Sequence, residues 1–194
     1  MSPQPSNRQA LLEGALRCLM RMPLEDISAR TVAGEAGANI ASINYHFGSK
    51  DQLVTAAVVE GLDRWLARLE QRLAELPAAP AGAERFRQAA ESIDATRDDN
   101  EGIARAFVVA LARGHHDEVV ANHLTEGFLR TRPRIAALLG LGDDEVGTDA
   151  GAVVHAMFVG LIAQALLSPD LALDSVRTAA ALQRIAAVLI TDLT

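Results

Sequence analysis

Apolar side chains recur every three to four positions along most of the chain, which is the spacing of one face of an α-helix. The first such stripe covers residues 11–22 and ends at Pro23, whose ring cannot continue a helix. The longest stripe begins after Ser49, a typical helix cap, and ends at the proline-containing linker 77–82. No segment shows a convincing strand pattern, and no internal repeat is found.

Two short helices are predicted between these two long ones. Ser28 is a typical N-terminal cap for a helix that runs to about Glu35, and Gly37 follows where a left-handed residue is needed. Asn39 caps the next helix, which extends to about His46. Two short helices joined by a glycine-containing turn form the core of a helix-turn-helix unit.

Five further helices are predicted in the rest of the chain, and Pro133 should bend or split the third of them. Asp174 can cap the last one. The approximate bounds of the five are 83–96, 101–114, 117–139, 148–167 and 173–192. The expected fold is therefore all-α, with about nine helices.

The composition agrees with a helical globular protein. Of the 194 residues, 49% are hydrophobic, 22% are charged and only 4% are aromatic, which excludes a disordered chain and leaves little material for a large sheet. The single cysteine, Cys18, cannot form an internal disulfide, and the N-terminus lacks a signal-peptide pattern. We therefore expect a cytoplasmic protein.

The charge is unevenly distributed. The chain carries a net charge of −7, but residues 1–53 contain five basic and five acidic side chains and sum to zero, so residues 54–194 carry the whole −7. An acidic body argues against general affinity for nucleic acid. A neutral N-terminal segment can still approach DNA, although binding there requires specific contacts.

The predicted helix-turn-helix has an inward and an outward face. Val32, Ala33 and Ala36 point inward on its first helix, and small residues there let the next helix cross closely; Ile43 and Phe47 supply the inward face of that helix. The remaining side chains cannot all be buried on so short a helix, which fits the major groove with its N-terminal residues at the base edges. These remaining side chains are Ile40, Ala41, Ser42, Asn44, Tyr45 and His46, and the capping residue Asn39 is a further candidate for a DNA contact.

These residues resemble a known signature. Val32-Ala33, Ala36-Gly37 and the run INYHFGSKDQL at 43–53 are similar to the signature of TetR-type transcriptional regulators, over about residues 8–55. The resemblance implies that a three-helix domain, residues 1–49, binds palindromic double-stranded DNA. It also implies that a helical domain, residues 50–194, forms a homodimer through its last two helices and encloses a pocket for a small-molecule effector. Effector binding would tilt the fourth helix and release the DNA.

The resemblance also assigns DNA contacts by position. They are Arg30 on the second helix, Ala41, Ser42, Tyr45 and His46 on the recognition helix, and Lys50, which approaches a phosphate. Asn44 stands where many members have tyrosine. Its amide either pairs with the N6 and N7 atoms of an adenine or replaces the phosphate contact of that tyrosine. Ile40 suits a packing staple as well as a thymine-methyl contact. His46 also suits a helix-end cap.

The C-terminal part of the chain carries the candidate dimer interface. Residues 150–167 are apolar nearly all round, and we expect a buried helix of a soluble protein rather than a membrane span, because His155 and Gln164 lie within it. This helix and the last helix of each chain would together build a four-helix bundle between two subunits. The alternative is that the apolar seam of the last helix packs against its own chain. The interface candidates are Val154, Phe158, Leu161, Ile162, Leu182, Ile185 and Leu189.

The effector pocket should lie among the fourth to eighth helices, and its ligand should be mainly apolar or amphipathic. Its candidate lining, which fits ordinary core positions equally well, is Trp65, Phe86, Phe107, Phe128, His155 and Phe158.

No catalytic constellation, cofactor motif or metal site is evident, because His116 and His123 lack a completing Glu-x-x-His pattern. The leading interpretation is a ligand-responsive, non-enzymatic repressor without membrane association. One alternative is a regulator that activates transcription or responds to a protein partner. A second alternative is an all-helical small-molecule-binding or enzymatic protein whose helix-turn-helix does not function.

Overall fold

The structure, a computed structural model, describes residues 7–76 and 82–191. Within these ranges it contains nine α-helices and no strand, which confirms the all-α prediction. Three short 3₁₀ segments, Leu24–Asp26, Asp98–Asn100 and Pro169–Leu171, were not predicted. The helices are α1 Asn7–Arg21, α2 Ala29–Ala36, α3 Ala41–Phe47, α4 Lys50–Glu75, α5 Ala83–Asp94, α6 Glu101–Gly114, α7 Glu118–Leu139, α8 Glu145–Leu167 and α9 Ser175–Thr191. The predicted linker lies outside the described residues except for Gly82.

The helices divide into two compact units. The first unit contains the chain up to Trp65 together with Asp99–Phe128, and the second contains Leu66–Asp98 together with the chain from Leu129 onward. This division is one of packing. The predicted functional boundary, between the segments 1–49 and 50–194, stays a prediction.

The first unit is built around α1, which packs against α2, α3 and α6. Close packing of α1 on α2 requires Gly14, where an added Cβ would lie 2.9 Å from the Cβ of Ala36. Arg17 reinforces this contact, because its Nε donates to Glu35 Oε1 at 2.7 Å and its Nη2 donates to the Glu35 carbonyl at 2.6 Å. The side chains that fill this core are at most 3% exposed: Leu11, Ala15, Val32, Ala33, Ile43, Leu53, Ala57 and Val58.

An ion pair joins α4 to α1 in the same unit. Arg64 donates through Nη1 to Glu13 Oε2 at 2.9 Å and through Nε to Glu60 Oε1 at 2.6 Å. The hydrogen bond from Arg64 holds the pKa of Glu13 below its ordinary value, although partial burial opposes this. The pairs are partly exposed, so each stabilises the fold modestly and mainly fixes the orientation of α1 against its neighbours.

The second unit has its own apolar core, to which α4, α5 and α7 contribute and against which Phe86 and Val154 pack. Two polar contacts close the helix ends. Arg85 Nε donates to the Leu138 carbonyl at 2.7 Å, near the end of α7, and the Ser175 backbone N–H donates to Asp94 Oδ2 at 2.7 Å, at the start of α9. The core cluster is Leu69, Leu73, Ala89, Ile135, Leu138 and Leu139.

Two predictions for this unit are wrong in part. Helix α7 runs without a break through Pro133, which is exposed, so proline does not split the helix; the predicted bend stays a prediction. Helix α8 is not buried in the single chain: its buried positions are Gly147 and Gly151, whereas Val153 is 71% exposed. A helix that is apolar on every side needs partners on every side, and one chain supplies only part of them.

Helix α8 also begins three residues earlier than predicted, because the Asp144 side chain accepts a hydrogen bond from the Gly147 backbone N–H at 2.8 Å and caps it there. Among the described residues it is the one helix long and apolar enough to cross a membrane, with a mean hydropathy of 1.9. A helix packed between two subunits meets the same criteria of length and composition, so this alone is weak evidence for a membrane span.

We expect Gly102→Ala to destabilise the first unit. A Cβ at this position of α6 would lie 1.9 Å from the Leu19 carbonyl oxygen of α1, so backbone must move. The free energy of unfolding, measured by chemical denaturation, should fall by about 1–3 kcal/mol. The matched control is Gly34→Ala in α2, where nothing lies within 4 Å of an added Cβ. There the free energy of unfolding should rise by about 0.5–1 kcal/mol, because alanine favours the helix more than glycine does. Equal effects of the two substitutions would contradict the close approach of α1 and α6.

Candidate nucleic-acid interface

The turn between α2 and α3 has the geometry that the sequence predicts. Ser28 Oγ accepts a hydrogen bond from the Thr31 backbone N–H at 3.0 Å and caps the start of α2. Gly37 ends α2 in the left-handed conformation, with φ 62°, which residues with a side chain adopt at a cost. The Ala38 N–H then donates to the Ala33 carbonyl at 2.9 Å. These local bonds turn the chain sharply enough for α3 to pack against α1.

Helix α3 is anchored from its inner side. Ile43 is 1% exposed and is the buried side chain of this seven-residue helix. Phe47 is half-buried, and the Arg8 guanidinium of α1 lies 5.1 Å from the centre of its ring. At the start of α3, Asn39 Oδ1 accepts a hydrogen bond from the Ala41 N–H at 2.9 Å, as its predicted capping role requires.

The outer side of α3 is polar and open to solvent. Tyr45 is 85% exposed, and its ring meets that of His46 edge-on at 4.8 Å between centroids. Asn44 and Ala41 are exposed, and Ile40 is 42% exposed. The predicted candidates therefore share one solvent-facing surface, apart from Ser42 and His46, which are half-buried. Arg30 of α2 is exposed as well.

Lys50 begins α4 and takes part in an ionic contact that the sequence does not reveal. The helix start is capped by Ser49, whose Oγ accepts from the Gln52 N–H at 3.1 Å. Lys50 Nζ lies 2.8 Å from Asp51 Oδ1, and Arg113 Nη1 of α6 lies 2.7 Å from Asp51 Oδ2. Burial raises the pKa of Asp51, but the hydrogen bonds from the two cations outweigh it and lower the pKa. Arg113 is far downstream, so no local pattern could have indicated it.

The comparisons with known proteins agree with this geometry. A profile of the family described as bacterial regulatory proteins, tetR family, matches residues 11–57, which span α1, α2, α3 and the start of α4. The chain is 34% identical over 86 residues to the HTH-type nicotine-responsive transcriptional repressor HdnoR of Paenarthrobacter nicotinovorans. The match covers 44% of this chain and 41% of that relative, so the chain spans about two fifths of the length of the curated relative.

Residues 11–57 therefore match the tetR family. Two solved structures show that the likeness in fold extends over most of the chain. The multidrug binding protein EbrR complexed with imidazole matches with a TM-score of 0.64 and 25% identity, over 93% of this chain and 95% of EbrR. A TetR transcription regulator from Haloarcula marismortui ATCC 43049 matches with a TM-score of 0.58 and 17% identity, over 89% and 92% of the two chains.

The six candidates for the effector pocket are divided between the two units. In the first unit, Phe107 and Phe128 meet edge-on at 6.0 Å, and Trp65 is 8% exposed. In the second unit, Phe86 and Phe158 stack at 5.8 Å. Phe158 also lines a small cavity of about 20 Å³ in the second unit, beside the ion pair of Asp94 and Arg97. The sixth candidate, His155, is half-buried in α8.

The candidates for the dimer interface differ in exposure. On α8, Val154, Phe158, Leu161 and Ile162 are half-buried. On α9, Leu182 is half-buried, whereas Ile185 is 54% exposed and Leu189 is 61% exposed. The alternative that the seam of α9 faces its own chain therefore fails at Ile185 and Leu189.

We expect His155 to make the folded protein less stable in mild acid. Burial, aided by the positive charge of Arg132, lowers the pKa of His155 below its ordinary value of 6.5. As the pH falls through this range the unfolded chain takes up a proton that the folded chain resists, so the free energy of unfolding decreases. The measurement is chemical denaturation at about pH 7.5 and about pH 5.5.

His155→Gln removes the titrating group, so the free energy of unfolding of this variant should decrease less between the two pH values than that of the wild type. His116 is exposed, so the His116→Gln variant should show the same decrease as the wild type. An unchanged pH dependence in His155→Gln would show that this side chain is not buried in the folded protein.

Proposed function

We propose that this protein is a cytoplasmic, non-enzymatic transcriptional repressor that binds palindromic DNA as a homodimer and is released by a small organic effector. The observation that carries the proposal is the outward face of α3, where Asn44 and Tyr45 are exposed while Ile43 is buried behind them. The family match over residues 11–57 and the relative named a transcriptional repressor support the same conclusion.

Helix α3 would lie in the major groove, where a helix of this size fits and where each base pair presents a distinct pattern of donors and acceptors. Asn44 carries the amide that pairs bidentately with adenine, and Tyr45 combines an aromatic surface with a hydroxyl. Lys50 would supply a phosphate contact, which fixes the position of the helix on the duplex but reads no sequence, and Arg30 would contact either a base or a phosphate. Asn39, Ile40, Ala41, Ser42 and His46 complete the proposed contact surface.

The second copy would pack on α8 and α9. Both helices leave large apolar side chains exposed: Val153 is 71%, Leu167 is 81% and Leu189 is 61% exposed. Covering such a surface with the same surface of another chain gives a four-helix bundle with two-fold symmetry. Two recognition helices related by that symmetry could read a palindrome, because each would meet an equivalent half-site.

The effector component of the proposal rests on the relatives. HdnoR is named nicotine-responsive, and EbrR is named a multidrug binding protein. An amphipathic organic molecule would suit the aromatic and aliphatic residues of the second unit, where Phe86 stacks on Phe158. Release would follow if the molecule binds the DNA-free state more tightly than the DNA-bound state. A screen for compounds that free the duplex tests this component.

We expect the wild-type protein to select a palindromic sequence from random duplex DNA. Tyr45→Ala and Lys50→Gln should weaken binding to the selected duplex at every salt concentration in a gel-shift assay. Asn44→Ala should instead relax the preference at one base pair per half-site, with a loss of about 1–3 kcal/mol of discrimination if the amide reads an adenine. Because all three side chains are at least partly exposed, thermal unfolding should stay close to that of the wild type.

The outcomes separate the alternatives. Uniform weakening across sequences in Asn44→Ala would assign its amide to a phosphate rather than a base. No selection of any sequence by the wild type, at low or moderate salt, would overturn the proposed function and favour a helical protein whose helix-turn-helix has lost DNA binding.

We expect Ile185→Glu to separate the dimer. A carboxylate in an apolar interface loses its hydration without gaining a partner. Light scattering after gel filtration should give the mass of one chain instead of two, and affinity for the selected duplex should fall by about 100-fold or more, since the two contacts are no longer linked. Val119→Glu, at a 43% exposed position of α7, is the matched control and should leave mass and affinity unchanged. A wild-type protein that is monomeric at micromolar concentration would refute the dimer.

A further inference from the structure

One carboxylate joins the start of α4 to the last turn of α6. Asp51 presents its two oxygens to two different cations, Oδ1 to Lys50 Nζ at 2.8 Å and Oδ2 to Arg113 Nη1 at 2.7 Å. Lys50 and Asp51 are neighbours in α4, whereas Arg113 belongs to α6. All three lie in the first unit, which also contains α3.

The three charged side chains line a cavity of about 90 Å³ between α4 and α6, whose other walls are largely apolar. The side chains of Lys50, Asp51 and Arg113 are 33%, 36% and 43% exposed, so each is partly shielded from water. Partial shielding makes charge interactions stronger than on an open surface. The apolar walls are Leu24, Val54, Ala106, Val109 and Ala110.

Arg105, which also lies on α6, pairs with a different carboxylate. Arg105 donates through Nε to Glu101 Oε1 at 2.9 Å, one turn earlier in the same helix. Its charge is therefore neutralised within α6, and its side chain is 59% exposed. Arg113 instead pairs with a residue of α4 that is adjacent to a proposed phosphate contact.

We propose that Arg113 is a positioning residue for DNA binding, which keeps Lys50 available for a phosphate by neutralising Asp51. The inference rests on the proposed function. With Arg113 in place, the cluster carries a net charge of +1, and the Lys50 ammonium can exchange one Asp51 oxygen for a phosphate oxygen. Without Arg113 the cluster is neutral. Asp51 then has Lys50 as its remaining cation, and the carboxylate holds the ammonium that would otherwise bind a phosphate.

The test compares variants in their affinity for the duplex that the wild-type protein selects, measured by gel shift over a series of salt concentrations. Arg113→Gln should weaken binding by about two- to fivefold, the range expected for a partly exposed ion pair. Arg105→Gln removes the same charge from the same helix and should change binding less. Arg113→Lys, which keeps the charge, should restore most of the affinity.

Double variants show whether the effect passes through Lys50. Lys50→Gln should lower the slope of log affinity against log salt by about 1, as expected for one lost phosphate contact. In the Lys50→Gln background, Arg113→Gln should cost no more than Arg105→Gln does. Adding Asp51→Asn to Arg113→Gln should recover the affinity, because the competing carboxylate charge is gone. The same Asp51→Asn substitution in the Lys50→Gln background should give a smaller gain.

Each result decides the question. Equal losses for Arg113→Gln and Arg105→Gln, or a loss for Arg113→Gln that persists in the Lys50→Gln background, would overturn the positioning role while leaving the proposed function intact. A wild-type protein that binds no duplex would overturn the proposed function, and this inference with it. Thermal unfolding of each variant, compared with that of the wild type, identifies any loss of affinity that is due to misfolding.

Discussion

The outward face of α3 depends on the burial of one side chain. An isolated helix of seven residues, about two turns, is unstable in water because forming its first turn costs more than its few hydrogen bonds return. Ile43, 1% exposed, attaches α3 to the core of the first unit. In that core, Gly14 lets α1 and α2 approach closely. The packing of α1 against α2 therefore helps to set the position of α3 and of its exposed side chains Asn44 and Tyr45. The exposed residues are thus positioned by packing far from the surface they form.

Apolar burial and ion pairs contribute differently to the first unit. A fully buried aliphatic side chain such as Leu11 stabilises the fold by about 1.5–3 kcal/mol, whereas a partly exposed ion pair such as that of Arg17 with Glu35 contributes about 0–1 kcal/mol. The ion pairs instead fix orientation. Arg17 joins α1 to α2, and Arg64 joins α4 to α1, so α1 is held on two sides by directional contacts in addition to its apolar core.

Features encoded by neighbouring residues could be predicted from the sequence. The caps at Ser28 and Asp174 and the left-handed Gly37 follow from local chemistry, and the structure confirms them. Contacts between distant segments could not be predicted, because no periodic pattern connects Asp51 with Arg113. The prediction that α8 is buried was also wrong for the single chain. Hydropathy indicates that a helix is too apolar to face water, but it does not indicate whether the same chain or another molecule covers it. The individual DNA contacts and pocket residues stay predictions, because exposure shows what a side chain can reach and not what it touches.

The residues of α3 include no lysine and no arginine. Non-specific attachment to DNA comes almost entirely from the neutralisation of phosphates by such cations. Under the proposed function, α3 would read bases without a cation of its own, on a chain with a net charge of −7. Affinity for arbitrary DNA would then come from the few phosphate contacts proposed outside α3, and a matching site would differ from the rest of the chromosome mainly in its base contacts with α3.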